Sequence, residues 1–286
     1  MKPNASRFAL AVAGATVLLV LIDLAVLRLH FGLSAWRLVL AHLLTASVLG
    51  YAVWAARAHG WRLAVAVFLL FFVISYVNTL DEGVLFLGLS KALVAGALVV
   101  GVLTSAAVAA LLVWLMGKGF AAEPREAPSA PARSVGAWLW RLVAGDFAYV
   151  FLYFAAGMIV FPFVKEFYAG RTLPGPGTIV SMQLFRGLVY IATALPVARM
   201  IPKRLHAALV LGLAFSVLGG VAPLLPDNPL MPPHIRFAHT IEIGVSNFVY
   251  GVVLAFLFAP KPALKTVTSA PSTGSEPALS AANGAG

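Results

Sequence analysis

The sequence predicts an all-α fold, a polytopic transmembrane helical bundle of about eight spans, from three observations. Hydrophobic residues make up 61% of the chain and charged residues 10%, against about 25% charged in ordinary soluble domains. Apolar runs of roughly 20 residues, the length that crosses about 30 Å of hydrocarbon, recur from one end to the other. Basic residues stand singly at the ends of those runs rather than in one patch. The first two observations exclude a soluble fold, and a β-barrel would show short alternating segments instead. The third assigns the formal charge of +10 to membrane topology, with the lipid bilayer as partner and no nucleic acid. There is no cysteine, which excludes disulfides, thiolate metal sites and thiol nucleophiles. No cofactor is expected.

The first span is expected at 8–29. Its positive-then-apolar start has the grammar of a signal peptide, and Ala11-Val12-Ala13 resembles a cleavage site, but too little apolar sequence precedes it to be an h-region. It reads as an uncleaved span. The second, 35–56, runs from Trp36-Arg37 to Arg57, and the third, 62–80, from Arg62 to Asn78-Thr79. Residues 81–91 leave three readings open: an extension of the third span, the start of a broken fourth, or a re-entrant turn, with Gly83 and Gly88 permitting bends. The fourth span, 91–116, is followed by an Ala/Pro/Glu/Arg/Ser-rich stretch, 117–137, expected to be a flexible cytoplasmic linker. The fifth, 140–163, ends on the aromatic belt Phe161 to Tyr168, and Leu173-Pro174-Gly175-Pro176-Gly177 is a turn before the sixth, 179–200. The seventh, 204–222, meets a Pro-rich outer loop, 223–236, and the eighth, 238–259, precedes a tail, 261–286, expected to be disordered.

These boundaries give one membrane half at 1–116 and a second at 138–260, and four spans in each allow two parallel halves. With the N-terminus inside, Arg28, Arg37, Lys91, Lys165, Arg171, Arg186 and Arg236 fall outside and the other 13 of the 20 basic residues inside. The expected setting is a bacterial cytoplasmic membrane with both termini cytoplasmic. One further hint of repetition is the match between Asn78-Thr79-Leu80-Asp81-Glu82-Gly83-Val84 and His239-Thr240-Ile241-Glu242-Ile243-Gly244-Val245.

Charged groups in a span cost roughly 2.5–3.5 kcal/mol each, so those that persist face protein or water. Asp23, His42, Asn78, Asp81, Glu82, Gln183, Arg186, Arg236, His239, Glu242, Ser246 and Asn247 all fall in outer half-spans under this topology, whereas the inner halves carry little beyond Thr16, Thr104, Ser105, Thr193 and Ser216. That asymmetry predicts a polar pocket open to the outer side. Helical spacing puts Arg236, His239, Glu242 and Ser246 on one stripe, and Gln183 and Arg186 on one face. A buried arginine needs a carboxylate, so Arg186 is expected to meet Glu242, Glu82 or Asp81, and Asp23 to pair with His42. His239 and Glu242, three apart, with His234, Asp81 or Glu82, are weak candidates for a zinc-like ion.

Three functions compete. A secondary transporter or permease, possibly proton-coupled, for a small molecule of unknown identity is the leading one, since titratable groups line span ends and there is no soluble catalytic domain. A membrane-embedded enzyme acting on a lipid or lipid-linked substrate would use Glu242 or Glu82 as base and an arginine as phosphate clamp. A structural or assembly protein would use the same residues only as interhelical clamps.

Overall fold

A computed structural model describes residues 4–27, 35–119, 133–228 and 231–260. Eight helices long and apolar enough to span a membrane make this a multi-pass integral membrane protein, with no strand among the described residues. They are α1 Ala5–Leu27, α2 Ala35–Ala55, α3 Gly60–Leu87, α4 Lys91–Leu115, α5 Val135–Tyr168, α6 Pro176–Met200, α7 Arg204–Leu224 and α8 Pro233–Phe258. Asn4 and Pro260 lie on one face, here the terminal face; the opposite one is the distal face. The tail at 261–286 and most of the predicted linker lie outside the described residues.

Sequence boundaries move where a helix continues past its apolar run. Residues 81–87 extend α3, and the helix stops at Gly88, whose φ of 67° is left-handed and disfavours any side chain with a Cβ. Ser90 then caps α4 by accepting from the Leu93 N–H at 3.3 Å. The described ends of the stretch 117–137 are bonded to helix ends. Lys118 is buried and donates to Val53 O at 2.7 Å and to Ala56 O, capping α2, while Ser134 caps α5 by accepting from the Ala137 N–H. The extended loop expected at 223–236 is shorter, because α8 starts at Pro233, a residue whose missing N–H costs nothing in a first turn.

The two sets of four helices pack alike. α1 contacts α2 and α4, and α3 contacts α4; likewise α5 contacts α6 and α8, and α7 contacts α8. The sets meet where α2 packs on α7 and α3 on α6. The third helix of each set also breaks in the same way. In α3 a 13-residue α-segment, Gly60–Phe72, is followed by a five-residue π-segment, Val73–Val77; in α7 Arg204–Ser216 is followed by Val217–Val221, each boundary 144 positions on. In both, the first N–H after the π-segment bonds five residues back, Asn78 to Val73 O and Ala222 to Val217 O. The π-segments touch at the seam, where Ser75 Oγ donates to Leu218 O at 3.1 Å. This spacing does not relate Asn78–Val84 to His239–Val245. The first ends α3 and the second opens α8, so they run in opposite directions, and the counterpart of Asn78 is Ala222.

Candidate functional site

A cavity of about 460 Å³ lies in the distal half of the second bundle, bounded by α5, α6 and α8 and closed on one side by the end of α3. Of the polar residues expected to converge, Glu82, Arg186, His239, Glu242, Ser246 and Asn247 line it. Arg186 is 5% exposed and is held from both bundles. From the first, Glu82 Oε1 accepts from its Nη1, Asp81 Oδ2 lies 3.5 Å from its Nε, and Asn78 O accepts from its Nη2 at 3.3 Å. From its own helix Gln183 Oε1 accepts at 3.3 Å, and the guanidinium lies 5.8 Å from the centre of the Tyr149 ring. The expectation of an acid partner therefore holds, with Glu82 and Asp81 rather than Glu242.

Glu242 belongs to a second chain of bonds. Its Oε2 is 2.6 Å from His239 Nδ1, and His239 Nε2 is 3.1 Å from the Tyr168 hydroxyl on α5. An imidazole with the proton on Nδ1 donates to Glu242 and accepts from Tyr168, so all three groups are satisfied by one tautomer. Its other oxygen packs against Gly157, where a Cβ would stand 3.5 Å away. Ser246 donates to Glu242 O at 2.7 Å, a local helix bond, and Asn247 Nδ2 donates to Tyr190 Oη at 3.2 Å and to Phe215 O at 3.4 Å.

Below these groups Tyr149, Tyr190 and Tyr250 form a layer with ring centres 5.0 to 5.7 Å apart, and Tyr250 donates to Gly187 O. Tyr190 and Tyr250 are fully buried, so the layer closes the cavity toward the terminal half. The cavity's other wall is apolar and faces outward. Met158 and Phe161 line it and are 72% and 53% exposed, so in a bilayer this wall meets acyl chains. Inside, two carboxylates and an imidazole stand against a single guanidinium, with Asp81 behind it.

Comparison with models of known protein families, with curated proteins and with solved structures finds no match.

Several expected members lie elsewhere. Arg236 shares the helical stripe of His239 but turns away to Asp227 at 2.7 Å and to Pro226 O. Asp227 also meets Arg37 of α2 at 2.7 Å, a second ion pair between the bundles. Asn78 and Gln183 are buried beside Arg186 without lining the cavity, and their side-chain nitrogens have no hydrogen-bond partner among the described residues. Asp23 and His42 do pair, at 2.8 Å, in the first bundle and outside this cavity. His42 precedes Arg186 by 144 positions, so both bundles place a basic side chain at the same point of their second helix. His234 is exposed, and no three His, Asp or Glu groups among the described residues are placed to hold a metal ion, so the zinc-like set of His234, His239 and Glu242 is not assembled.

Two kinds of residue were missed. Asp146 lies in the terminal half of α5, against Gly187, with Oδ1 buried and unpartnered among the described residues, so the polar census of the inner half-spans was incomplete. The tyrosines were also passed over, although Tyr149, Tyr153 and Tyr168 step along α5 at four and fifteen residues, and Tyr149 and Tyr153 share a face.

Proposed function

We propose that the protein is a secondary transporter in which protons and an amphiphilic, cationic solute compete for the carboxylates of the distal cavity. The observation that carries this reading is that the ion pairs beside the cavity cross between the two four-helix bundles, Arg186 of one being held by Glu82 and Asp81 of the other. Alternating access needs a site whose occupancy changes how two bundles grip each other. A proton or a solute cation on Glu82 weakens its hold on Arg186 and so loosens the seam. Cation preference is supported by the excess of carboxylate over guanidinium and by the tyrosine faces, which attract cations where water is scarce. The outward apolar wall at Met158 and Phe161 supports a solute with an apolar body. His239 bonds Glu242 through one ring nitrogen and Tyr168 through the other, an arrangement that suits the ring to pass protons between them. The distal face is taken as the outer one, from the excess of basic residues on the other.

The test is proton release on binding. Purified protein in weakly buffered detergent, titrated with tetraphenylphosphonium, is expected to release about one proton per cation bound and to lose that release in Glu242→Gln. Saturable binding without proton release, or no binding of any lipophilic cation tried, refutes the competition.

The bonded chain Tyr168, His239, Glu242 favours a second reading, an enzyme acting on a lipid or lipid-linked substrate, because a carboxylate that orients an imidazole next to a hydroxyl is a general-base arrangement. Lipid turnover in proteoliposomes that disappears in His239→Gln, with no vectorial flux, selects it over transport.

A further inference from the structure

A second constellation of charge lies on the terminal face, away from the cavity. Arg133, just before α5, and Arg141 in its second turn meet Arg199 from the end of α6 and Arg204 from the start of α7, around the C-terminal end of α8. The Arg133 and Arg199 guanidiniums lie 5.4 and 5.0 Å from the Trp138 ring, which stacks on Phe258 at 6.0 Å. Arg204 lies 5.5 Å from the Phe256 ring. Two backbone carbonyls at the end of α8 take one donor each: Arg141 Nε donates to Leu257 O at 3.0 Å and Arg133 Nη2 to Phe258 O at 3.4 Å.

Those carbonyls satisfy two N–H groups and leave four positive charges together. Among the described residues none of the four arginines makes an ion pair with a carboxylate, and Arg204 Nε is buried with no hydrogen-bond partner. Burial and the guanidiniums of Arg141, Arg199 and Arg204 push Arg133 below the usual arginine range. Capping α8 uses two of the four, Arg133 and Arg141, and leaves Arg199 and Arg204 without that role. What relieves such a cluster is an anion with several acceptor oxygens, because guanidiniums bind phosphate oxygens in a forked geometry. The surroundings choose the form of that phosphate. Leu139, Trp140 and Leu205, on the same helix ends, are 57%, 52% and 66% exposed and present apolar surface to acyl chains, and tryptophan is enriched at the level of lipid headgroups.

We propose that Arg133, Arg141, Arg199 and Arg204, gathered around Trp138, form a site for the phosphate of an anionic lipid headgroup in the leaflet of the terminal face. The site does not depend on the transport reading, since it shares no residue with the distal cavity. It also holds the starts of α5 and α7 and the ends of α6 and α8 to one ligand, so its occupancy braces the second bundle.

Thermal unfolding of the full chain, delipidated and returned to phosphatidylcholine nanodiscs, tests it. Graded phosphatidylglycerol is expected to raise the midpoint saturably, with extra phosphatidylcholine giving no rise. Arg199→Gln, which removes a side chain with no hydrogen bond to α8 among the described residues, is expected to raise the phosphatidylglycerol needed for half the effect about tenfold without lowering the midpoint in phosphatidylcholine, since one of the clustered charges is gone. Arg133→Gln/Arg204→Gln is expected to abolish the response. If inorganic phosphate at millimolar concentration reproduces the rise and displaces phosphatidylglycerol, the ligand is free phosphate and the lipid assignment is overturned. An equal phosphatidylglycerol response in the wild type and both variants overturns the site. Should the double variant fail to fold, Arg199→Gln alone decides.

Discussion

Replacing Arg186 by Gln removes the only guanidinium among the described residues that holds Asp81 and Glu82 at the seam. Both carboxylates keep part of their surface, with side chains 26% and 29% exposed, whereas that of Arg186 is 6% exposed. Breaking a buried pair by removing one partner costs about 3–5 kcal/mol, because the remaining charge stays desolvated. Partial exposure of both acids points to the lower end, about 3 kcal/mol. At about 2–4 °C per kcal/mol for a domain of this size, the midpoint should fall by about 6–12 °C. The assay is a double-mutant cycle on unfolding in lipid nanodiscs with Arg186→Gln, Glu82→Gln and the pair. Glu82→Gln with Arg186→Gln should be less destabilised than the sum of the singles by about 1 kcal/mol or more, since the double variant leaves no carboxylate at position 82 to bury. Strict additivity would show that the two side chains do not share a buried contact, and the seam would lose its lock.

Three other outcomes follow from the same packing. At Gly251 a Cβ would fall on the backbone of Leu211 and Gly212 in α7, so Gly251→Ala must push α7 and α8 apart; a loss of about 2–3 kcal/mol is expected in the same unfolding assay. Burial lowers Lys118 to about 8 from 10.5. Between those values the unfolded chain holds more protons than the folded one, so this residue's contribution to stability rises as pH goes from about 8 to 10.5 and is flat below. Comparing wild type with Lys118→Met over pH 7–10.5 should show the wild type gaining relative to the variant across that window. Finally, the chain has no cysteine, so spin labels at Leu93→Cys in α4 and Phe237→Cys in α8 report on the two bundles alone. Arg186→Gln should show a longer distance between them than the wild type, because the acids of α3 then lose their hold on α6.

The spans were legible because a bilayer imposes its thickness on the sequence: Leu, Val, Ala and Phe must fill each crossing whatever the protein does. The pairing of Arg186 with an acid was legible for a similar reason, since hydrocarbon leaves a guanidinium no cheaper solution. Which acid was not, because the choice depends on α3 continuing to Leu87 and carrying Glu82 across to α6. The π-segments were hidden, as one extra residue in a turn leaves no compositional mark, although Val73 and Val217 stand at equal distances into their helices. A helical stripe told which residues share a face with His239 but not that a nearby loop would claim one of them, and so Arg236 was placed in the cavity when Asp227 and Pro226 hold it outside. Tyr149, Tyr190 and Tyr250 were overlooked because a tyrosine within a span reads equally as packing, and only their mutual contact makes a floor.

The most direct test of proton-coupled transport is flux. Proteoliposomes with a fluorescent lipophilic cation at equal concentration on both sides and a pH gradient of either sign should accumulate it on the acidic side, while the side it leaves is acidified by the protons that cross in exchange. Glu242→Gln should exchange cation without responding to the pH gradient. Equal movement in protein-free liposomes, or a gradient response that survives in Glu242→Gln and Glu82→Gln together, would contradict the account.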